Sequence, residues 1–245
     1  MTADRENDAL FCFFAVIIEL YTCIGLGRFP VRKRSSEEAA VTLSGMEGVG
    51  CKHMNHRNPW HTISTKTVYE NPWLRLREDK VIRPDGKNGI YGVVEIRPSV
   101  AVVAINENDD IALVGQWRYT HDKYSWEIPT GGSEKEDETI LDAAKRELEE
   151  ETGILAADWT PLGSIDNSNG VTTDISNLFL ATCLSFNAPK QEPDEQITTE
   201  WISFERAVQM VMEGKITESS SVAAILKVDK MRRTRHDKTK TGTYH

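Results

Sequence analysis

The stretch Gly131–Ile154, GGSEKEDETILDAAKRELEEETGI, reads as a helix that carries Glu147, Glu149, Glu150 and Glu151 close together. Like charges three or four residues apart on a helix are neighbours, and each such pair costs roughly 0.2–0.5 kcal/mol even in water. A run of charge is usually a solvated face. The stretch therefore raises the question of what compensates the repulsion.

The positions of the acids around the helix set one of them apart from the other three. At about 100° per residue, Glu151 lies about 40° and Glu150 about 300° from Glu147, whereas Glu149 falls on the opposite face. The apolar positions lie in or beside the first arc: Ile140, Leu141, Ala143, Ala144 and Leu148. Three acids thus border the apolar face, which argues against simple solvation. A hard divalent cation would remove their repulsion, because Mg²⁺ accepts carboxylate oxygens.

The two ends of this predicted helix also carry signals. Asp137 and Glu138 are expected in the cap or the first turn, where the helix dipole favours negative charge. Gly153 is placed to end the helix. Gly131 and Gly132 have no side chain, so the backbone there can approach a ligand or a metal closely.

Length and composition limit the class of protein. The chain has 245 residues, of which 39% are hydrophobic and 27% charged, with a formal net charge of -9. These values suit a soluble globular protein and argue against a nucleic-acid partner held through phosphate contacts. The four cysteines have neither metal-ligand spacing nor the pattern of a disulfide framework. We therefore expect a cytoplasmic protein.

An apolar stretch, Ala9–Gly27, lies near the N-terminus and is interrupted by Glu19. Its length is near that of a membrane span, but a central glutamate opposes insertion, and the acidic residues before it do not fit a secretory signal. Three interpretations stay open: a non-structural leader with Met54 as the true start, a membrane anchor, or a packed helix. We expect the leader, over residues 1–57, and no membrane association.

The remainder of the chain shows runs of strand patterning with few helices between them. Alternating and β-branched segments separated by turns such as Arg83–Gly89 extend from about residue 61 to the acidic helix, and more strands follow it. Two segments with helical spacing end the pattern. This order predicts an α/β fold with a mixed β-sheet and helices packed on it, in a domain of residues 58–231 followed by a tail of residues 232–245.

The acidic helix and its glycines resemble the Nudix box, G-x5-E-x7-R-E-U-x-E-E-x-G-U, in which U is a bulky aliphatic residue. Every defined position is filled, by Gly132, Glu138, Arg146, Glu147, Leu148, Glu150, Glu151, Gly153 and Ile154. The resemblance implies a Nudix hydrolase, an α/β/α sandwich that uses Mg²⁺ or Mn²⁺ to hydrolyse a nucleoside diphosphate linked to another moiety.

The resemblance also implies roles for individual box residues. Glu147, Glu150 and Glu151 would be metal ligands, with the Gly131 carbonyl as a further one, and Arg146 would orient Glu147 for catalysis. The metal would neutralise the diphosphate and lower the pKa of a bound water. A carboxylate would position or deprotonate the attacking water.

The other box positions are expected to be structural. On the helical wheel Glu138 lies near 180°, far from the metal arc, so we interpret it as a support for the join between loop and helix. Gly132 and Gly153 complete this structural set.

The similarity extends from about Asn58 to Met231 and is greatest to ADP-ribose pyrophosphatases and related nucleotide-sugar hydrolases. In that subgroup the arginine that matches Arg118 contacts the diphosphate, and Glu127 would lie close to the metal and substrate. The segment QEPDEQITTEW matches an acidic loop that supplies a catalytic glutamate. Glu195 aligns best with it, and Glu192 is the second choice.

One position departs from the subgroup pattern. ADP-ribose hydrolases typically carry Ser-Pro-Gly after the box, whereas this chain has Asn169 in place of the proline. The exact nucleotide sugar therefore stays open. Another Nudix substrate, such as a dinucleotide or coenzyme A, and a non-catalytic nucleotide-sensing module are the alternatives. The subgroup often completes its site with a second subunit, so a homodimer is expected.

Overall fold

The computed structural model describes residues 57–133, 138–189 and 196–241, with side chains to Thr234 in the last helix. The described chain divides into two compact units. The first contains residues 57–66 and 77–92, and the second contains residues 67–76 and 93–241. Residues 1–56 of the expected leader, residues 134–137 and the acidic segment 190–195 lie outside the described residues.

The strands form three sheets. Strands β1 (His61–Glu70), β2 (Leu74–Ile82) and β3 (Asn88–Ile96) form a sheet in the order β1-β2-β3. The turn at residues 83–87 joins β2 to β3, as the Pro-Asp-Gly signal predicts. Every residue of β1 is exposed.

The other two sheets belong to the second unit. One has the order β10-β5-β6 and is antiparallel, with β5 (Asp110–Arg118), β6 (Lys123–Glu127) and β10 (Thr198–Ser203). The second has the order β7-β4-β9-β8, built from β4 (Ser99–Ala104), β7 (Thr130–Gly132), β8 (Ile154–Asp166) and β9 (Ile175–Phe186). Strands β4 and β9 are parallel, while the other pairs are antiparallel, so this sheet is mixed as predicted.

Helices cover both faces of β4. Helix α1 (Ile140–Thr152) packs Ala143, Ala144 and Leu148 against Val100 and Val102. On the opposite face, Ala101 and Val103 pack against α2 (Phe204–Met212) and α3 (Ser219–Thr241). Because side chains alternate across a strand, the uninterrupted apolar run of β4 serves two cores at once. The predicted α/β/α sandwich is confirmed.

The start of α1 differs from the expected one. Thr139 is the N-cap, its side chain accepts a hydrogen bond from the N–H of Asp142, and Asp142 is the acidic residue of the first turn. The prediction that Glu138 lies in the cap or first turn was therefore wrong. Thr139 is the N-cap because its hydroxyl oxygen accepts a hydrogen bond from an otherwise unpaired N–H of the first turn. Asp137, the other expected capping residue, lies outside the described residues.

The end of α1 follows the prediction. Gly153 has φ 72 and its N–H donates to the Glu149 carbonyl. A Cβ at this position would lie 2.2 Å from the Asn187 carbonyl oxygen, so both the backbone angle and the space require glycine.

The predicted end of the domain at residue 231 falls inside a helix. Helix α3 continues to Thr241, and Arg232 in its course lies over the Phe204 ring and pairs with Asp109. In the described part of the chain, no helix is both long and apolar enough to cross a membrane.

Candidate active site

The acidic face of α1 lies against Thr130–Gly132 of strand β7, which we call the glycine loop. A Cβ on Gly131 would lie within 2.0–2.4 Å of the Glu147 carboxyl group, so only glycine leaves room for that side chain. Glu151 is 4% exposed, and one of its oxygens accepts the N–H of Thr130 at 3.1 Å. Strand β7 thus fixes two of the box carboxylates.

Arg146 holds the remaining contacts of the box together. Its Nη1 donates to Glu147 at 2.7 Å and to Glu150 at 2.9 Å, so these two carboxylates share one guanidinium nitrogen. Its Nε and Nη2 donate to both oxygens of Glu138 at 2.8 and 3.0 Å, and Nη2 also donates to the Gly132 carbonyl at 2.8 Å. The hydrogen bond with Glu138 is the largest cause that raises the pKa of Arg146, against an opposing effect of burial.

These contacts bear on the expected structural residues. Glu138 precedes the helix and binds Arg146 in a two-pronged pair, which ties the incoming loop to the second turn of α1. The angle of Glu138 on a helical wheel does not apply, because the residue is not helical. Its expected role as a support for the join rests instead on this direct contact, and Gly132 shares it through its carbonyl.

The donor set suits a hard divalent cation. The three box carboxylates and the Gly131 carbonyl are all oxygen ligands, of the kind that Mg²⁺ and Mn²⁺ bind. Among the described residues, no three acidic, histidine or cysteine side chains converge into a ready cluster. Arg146 instead pairs with Glu147 and Glu150, and its single charge offsets only part of theirs.

A cleft of about 590 Å³ is lined in part by the glycine loop. Thr130 and Gly132 line it, so the loop is shared between the cleft and the acidic helix. This volume is within the range of small-molecule sites. The basic side chains in the lining are Arg97, Arg118, His121 and Lys123, and the acidic ones are Glu127, Asp174 and Glu218.

Arg118 and Glu127 face each other in this cleft. Nε of Arg118 donates to Glu127 Oε1 at 3.0 Å, and Nη2 donates to the second oxygen. The hydrogen bond to Glu127 raises the pKa of Arg118, although burial opposes it. Glu127 is 1% exposed, so its carboxylate is taken up by Arg118 and holds the guanidinium in the cleft.

Loss of this arginine is expected to destabilise the fold. Arg118→Ala would leave the Glu127 carboxylate buried without its partner, which costs about 3–5 kcal/mol for fully buried pairs. We expect about 1–3 kcal/mol because the Arg118 side chain is 37% exposed and solvent screens the pair. Urea denaturation measures the change in the free energy of unfolding. The double variant Arg118→Ala with Glu127→Gln should recover part of the loss; an Arg118→Ala protein as stable as the wild type would contradict the pairing.

A polar network in the lining of the cleft was not predicted from the sequence. Asn167 Nδ2 donates to Ser176 at 2.7 Å and to Asp174 at 3.3 Å, and its Oδ1 accepts from Ser219 at 2.7 Å. Ser176 is in turn 2.6 Å from Ser99. Burial raises the pKa of Asp174, and the Asn167 hydrogen bond opposes this rise. These residues come from four separate segments, and no local pattern unites them.

Asn167 also belongs to the turn that contains Asn169, the residue in place of the subgroup proline. The turn around Asn169 is held by the Ser168 carbonyl, which accepts the N–H groups of Val171 and Thr172 at 2.9 and 3.1 Å. The Thr172 hydroxyl closes the turn on the Asn167 carbonyl at 2.6 Å. Hydrogen bonds therefore restrain this turn without a proline ring.

Two residues that the sequence predicts to be catalytic lie outside the described part of the chain. Glu195 and its alternative Glu192 fall in segment 190–195, outside the described residues. The strand that follows, β10, pairs with β5 so that Thr198 lies opposite Gly115. The catalytic role of Glu195, or of Glu192 in its place, stays a prediction.

Comparison with known proteins agrees with this geometry. A family model described as the NUDIX domain matches residues 95–222, and one described as the nucleoside diphosphate sugar hydrolase N-terminal domain matches residues 60–94. An ADP-ribose pyrophosphatase of Mycobacterium tuberculosis is 33% identical over 69% of this chain and 83% of its own length. A methanol dehydrogenase activator of Bacillus methanolicus is 32% identical over 67% of this chain and 89% of its own.

A solved structure of an ADP compounds hydrolase has the same fold. It superposes with a TM-score of 0.67 over 74% of this chain and 98% of that chain, at 18% identity. The domain match over residues 95–222 includes the whole box and its acids. The chain belongs to the Nudix hydrolase family.

Proposed function

We propose that this protein hydrolyses the diphosphate bond of ADP-ribose or a related nucleotide sugar, giving a nucleoside monophosphate and a sugar phosphate. The observation that carries the proposal is that strand β7 (Thr130–Gly132) is hydrogen-bonded to Glu151 and Arg146 of the box and also lines the cleft. A diphosphate in that cleft would lie beside Arg118 and this strand. The similarity to an ADP-ribose pyrophosphatase supports this choice of substrate.

The proposed cofactor is Mg²⁺ or Mn²⁺. Glu147, Glu150, Glu151 and the Gly131 carbonyl would hold it, since they are the oxygen donors beside the glycine loop. When bound, the metal supplies charge neutralisation to the diphosphate and lowers the pKa of a bound water. Arg146 orients Glu147 through its 2.7 Å hydrogen bond.

The chain's own residues would carry the other parts of the reaction. Arg118 binds phosphate oxygens with the N–H groups that Glu127 does not use, since a guanidinium has five donors. Glu127, buried beneath it, fixes its direction. We assign the water-positioning carboxylate to Glu195, which would take the proton of the attacking water.

The assignment of Glu195 has a direct test. Glu195→Gln is expected to lower kcat by about 10²–10⁴-fold, because an amide cannot accept the proton of the attacking water. Metal affinity, followed by titration of Mn²⁺, should stay near that of the wild type. Glu192→Gln is the matched control, three residues away in the same acidic segment. A loss of turnover in Glu192→Gln alone would transfer the role to that residue.

A homodimer is part of the proposal. Strand β1 exposes all ten of its residues, and large apolar side chains such as Ile63 and Val68 are among them. Exposed apolar side chains on a sheet favour burial against another surface. Light scattering at working concentration should give twice the mass of one chain. A monomer under these conditions would exclude the dimer.

The substrate is tested with the full chain and a panel of diphosphates. ADP-ribose, ADP-glucose, GDP-mannose, a diadenosine polyphosphate, NADH and coenzyme A are incubated with Mg²⁺, and the products are separated by chromatography. We expect cleavage of a nucleotide sugar to a nucleoside monophosphate. Cleavage of the dinucleotide or coenzyme A instead would replace the proposed substrate class, and ligand binding without any turnover would indicate a sensor.

A further inference from the structure

We infer that Lys123, held by Thr217, is a phosphate-binding residue of the cleft and supplies a positive charge to the substrate diphosphate. This inference rests on the proposed function and adds a binding residue to it. It starts from the register of β5 and β6, in which Lys123 lies directly opposite Arg118. Residues opposite each other on paired strands point to the same face. Both side chains accordingly line the cleft, together with Ser125 and Glu127 of the same strand face.

The charge of Arg118 is largely committed within the protein. Its two-pronged pair with the buried Glu127 leaves this couple close to neutral, although donors remain for hydrogen bonding. A substrate diphosphate carries several negative charges, so a further cation in the cleft would strengthen its binding. Arg118 and Glu127 alone do not supply that charge.

Lys123 is differently placed. Its Nζ donates to the Thr217 hydroxyl at 3.1 Å, which is a neutral partner. No carboxylate of the described residues lies within ion-pair distance of this ammonium group. The hydrogen bond to Thr217 uses one N–H of the ammonium group and leaves two further N–H donors, and Thr217 limits the positions that the long side chain can adopt.

The acidic residue next to Thr217 in the sequence does not pair with Lys123. Glu218 follows Thr217, but one of its oxygens accepts the N–H of Ser220 at 2.8 Å and the other accepts the N–H of Ser221 at 2.7 Å. The carboxylate thus caps the start of α3. Lys123 is left as a cation facing the cleft between the cap of α3 and Arg118.

The experiment measures binding of ADP and of adenosine to the full chain without divalent metal, by titration calorimetry. In Lys123→Gln the dissociation constant of ADP should rise about tenfold, the typical effect of losing one charge-assisted hydrogen bond, and that of adenosine should not change. Lys123→Arg should stay within about threefold of the wild type, because the positive charge is kept. Thr217→Val should give a smaller rise than Lys123→Gln.

A matched control is Lys145→Gln, which removes an exposed lysine on the outer face of α1 that pairs with Asp142. It should leave both dissociation constants unchanged. With the nucleotide sugar as substrate, Lys123→Gln should raise KM and leave kcat within about twofold, since the residue binds a phosphate without touching the box.

The outcomes separate the inference from the proposed function. ADP affinity equal to that of the wild type in Lys123→Gln overturns the inference, as does an equal loss of ADP and adenosine affinity, which would indicate a structural effect. Wild-type protein without affinity for ADP overturns it too. Wild-type protein that binds ADP through Lys123 but cleaves no nucleotide sugar would sink the proposed function and leave the phosphate site standing.

Discussion

Replacing Glu147 by glutamine is expected to lower kcat by about 10²–10⁴-fold while the protein stays folded. The amide keeps the size of the side chain in the space above Gly131, so packing there is retained. It removes the negative charge that would face a metal ion and that Arg146 orients. Steady-state hydrolysis with saturating Mg²⁺ measures the loss, and circular dichroism with a thermal scan verifies the fold.

The matched control for this variant is Glu149→Gln in the same helix. Glu149 is two residues away and its side chain contacts Asn187 at 3.4 Å instead of the glycine loop. The same chemical change there should leave kcat within about twofold. Turnover near the wild-type value in Glu147→Gln would refute its assignment as a metal ligand.

Removal of Arg146 is the second change with a large expected effect. Arg146→Ala would leave Glu138, Glu147 and Glu150 without the cation that bridges them. Breaking a buried pair costs about 3–5 kcal/mol, and here one cation pairs with three carboxylates, two of them mostly buried. We expect a loss of about 3 kcal/mol in the free energy of unfolding, measured by urea denaturation in EDTA, and a large drop in kcat.

The dependence of this loss on metal distinguishes the site from an ordinary ion-pair network. A divalent cation that binds the folded protein adds RT ln(1 + [L]/Kd) of stability, and it would offset part of the carboxylate repulsion left by the variant. Saturating Mg²⁺ should therefore reduce the difference between Arg146→Ala and the wild type. Arg146→Lys, which keeps the charge and loses the fork of donors, should be intermediate. A stability difference that is the same in EDTA and in Mg²⁺ would argue against metal binding by these acids.

Much of the fold could be read from local patterns. The β-branched segments before the acidic helix predict strands, and β4 is one of them, with helices on both of its faces. Gly153 at the end of a periodic segment predicts a helix stop. The N-cap of α1 was harder to predict from the sequence, because Glu138 and Thr139 are both acceptable near a helix N-terminus. In the structure the Glu138 side chain points towards Arg146, and the Thr139 side chain accepts the capping hydrogen bond.

The box residues could be recognised in the sequence because a helix brings acids three and four residues apart to one side. That geometry depends on local backbone angles alone, so it holds before any tertiary contact forms. The family, the acidic helix and its glycine loop follow from this one stretch, and comparison over residues 95–222 confirms the family.

The cleft could not be read in this way. Lys123 meets Thr217, and Asn167 meets Ser219, through sequence separations of 94 and 52 residues. Such contacts arise from the register of β5 with β6 and from the position where α3 begins, and no periodic pattern encodes either. The local sequence thus identifies the acidic helix and the family, whereas chain folding alone determines which distant side chains line the cleft.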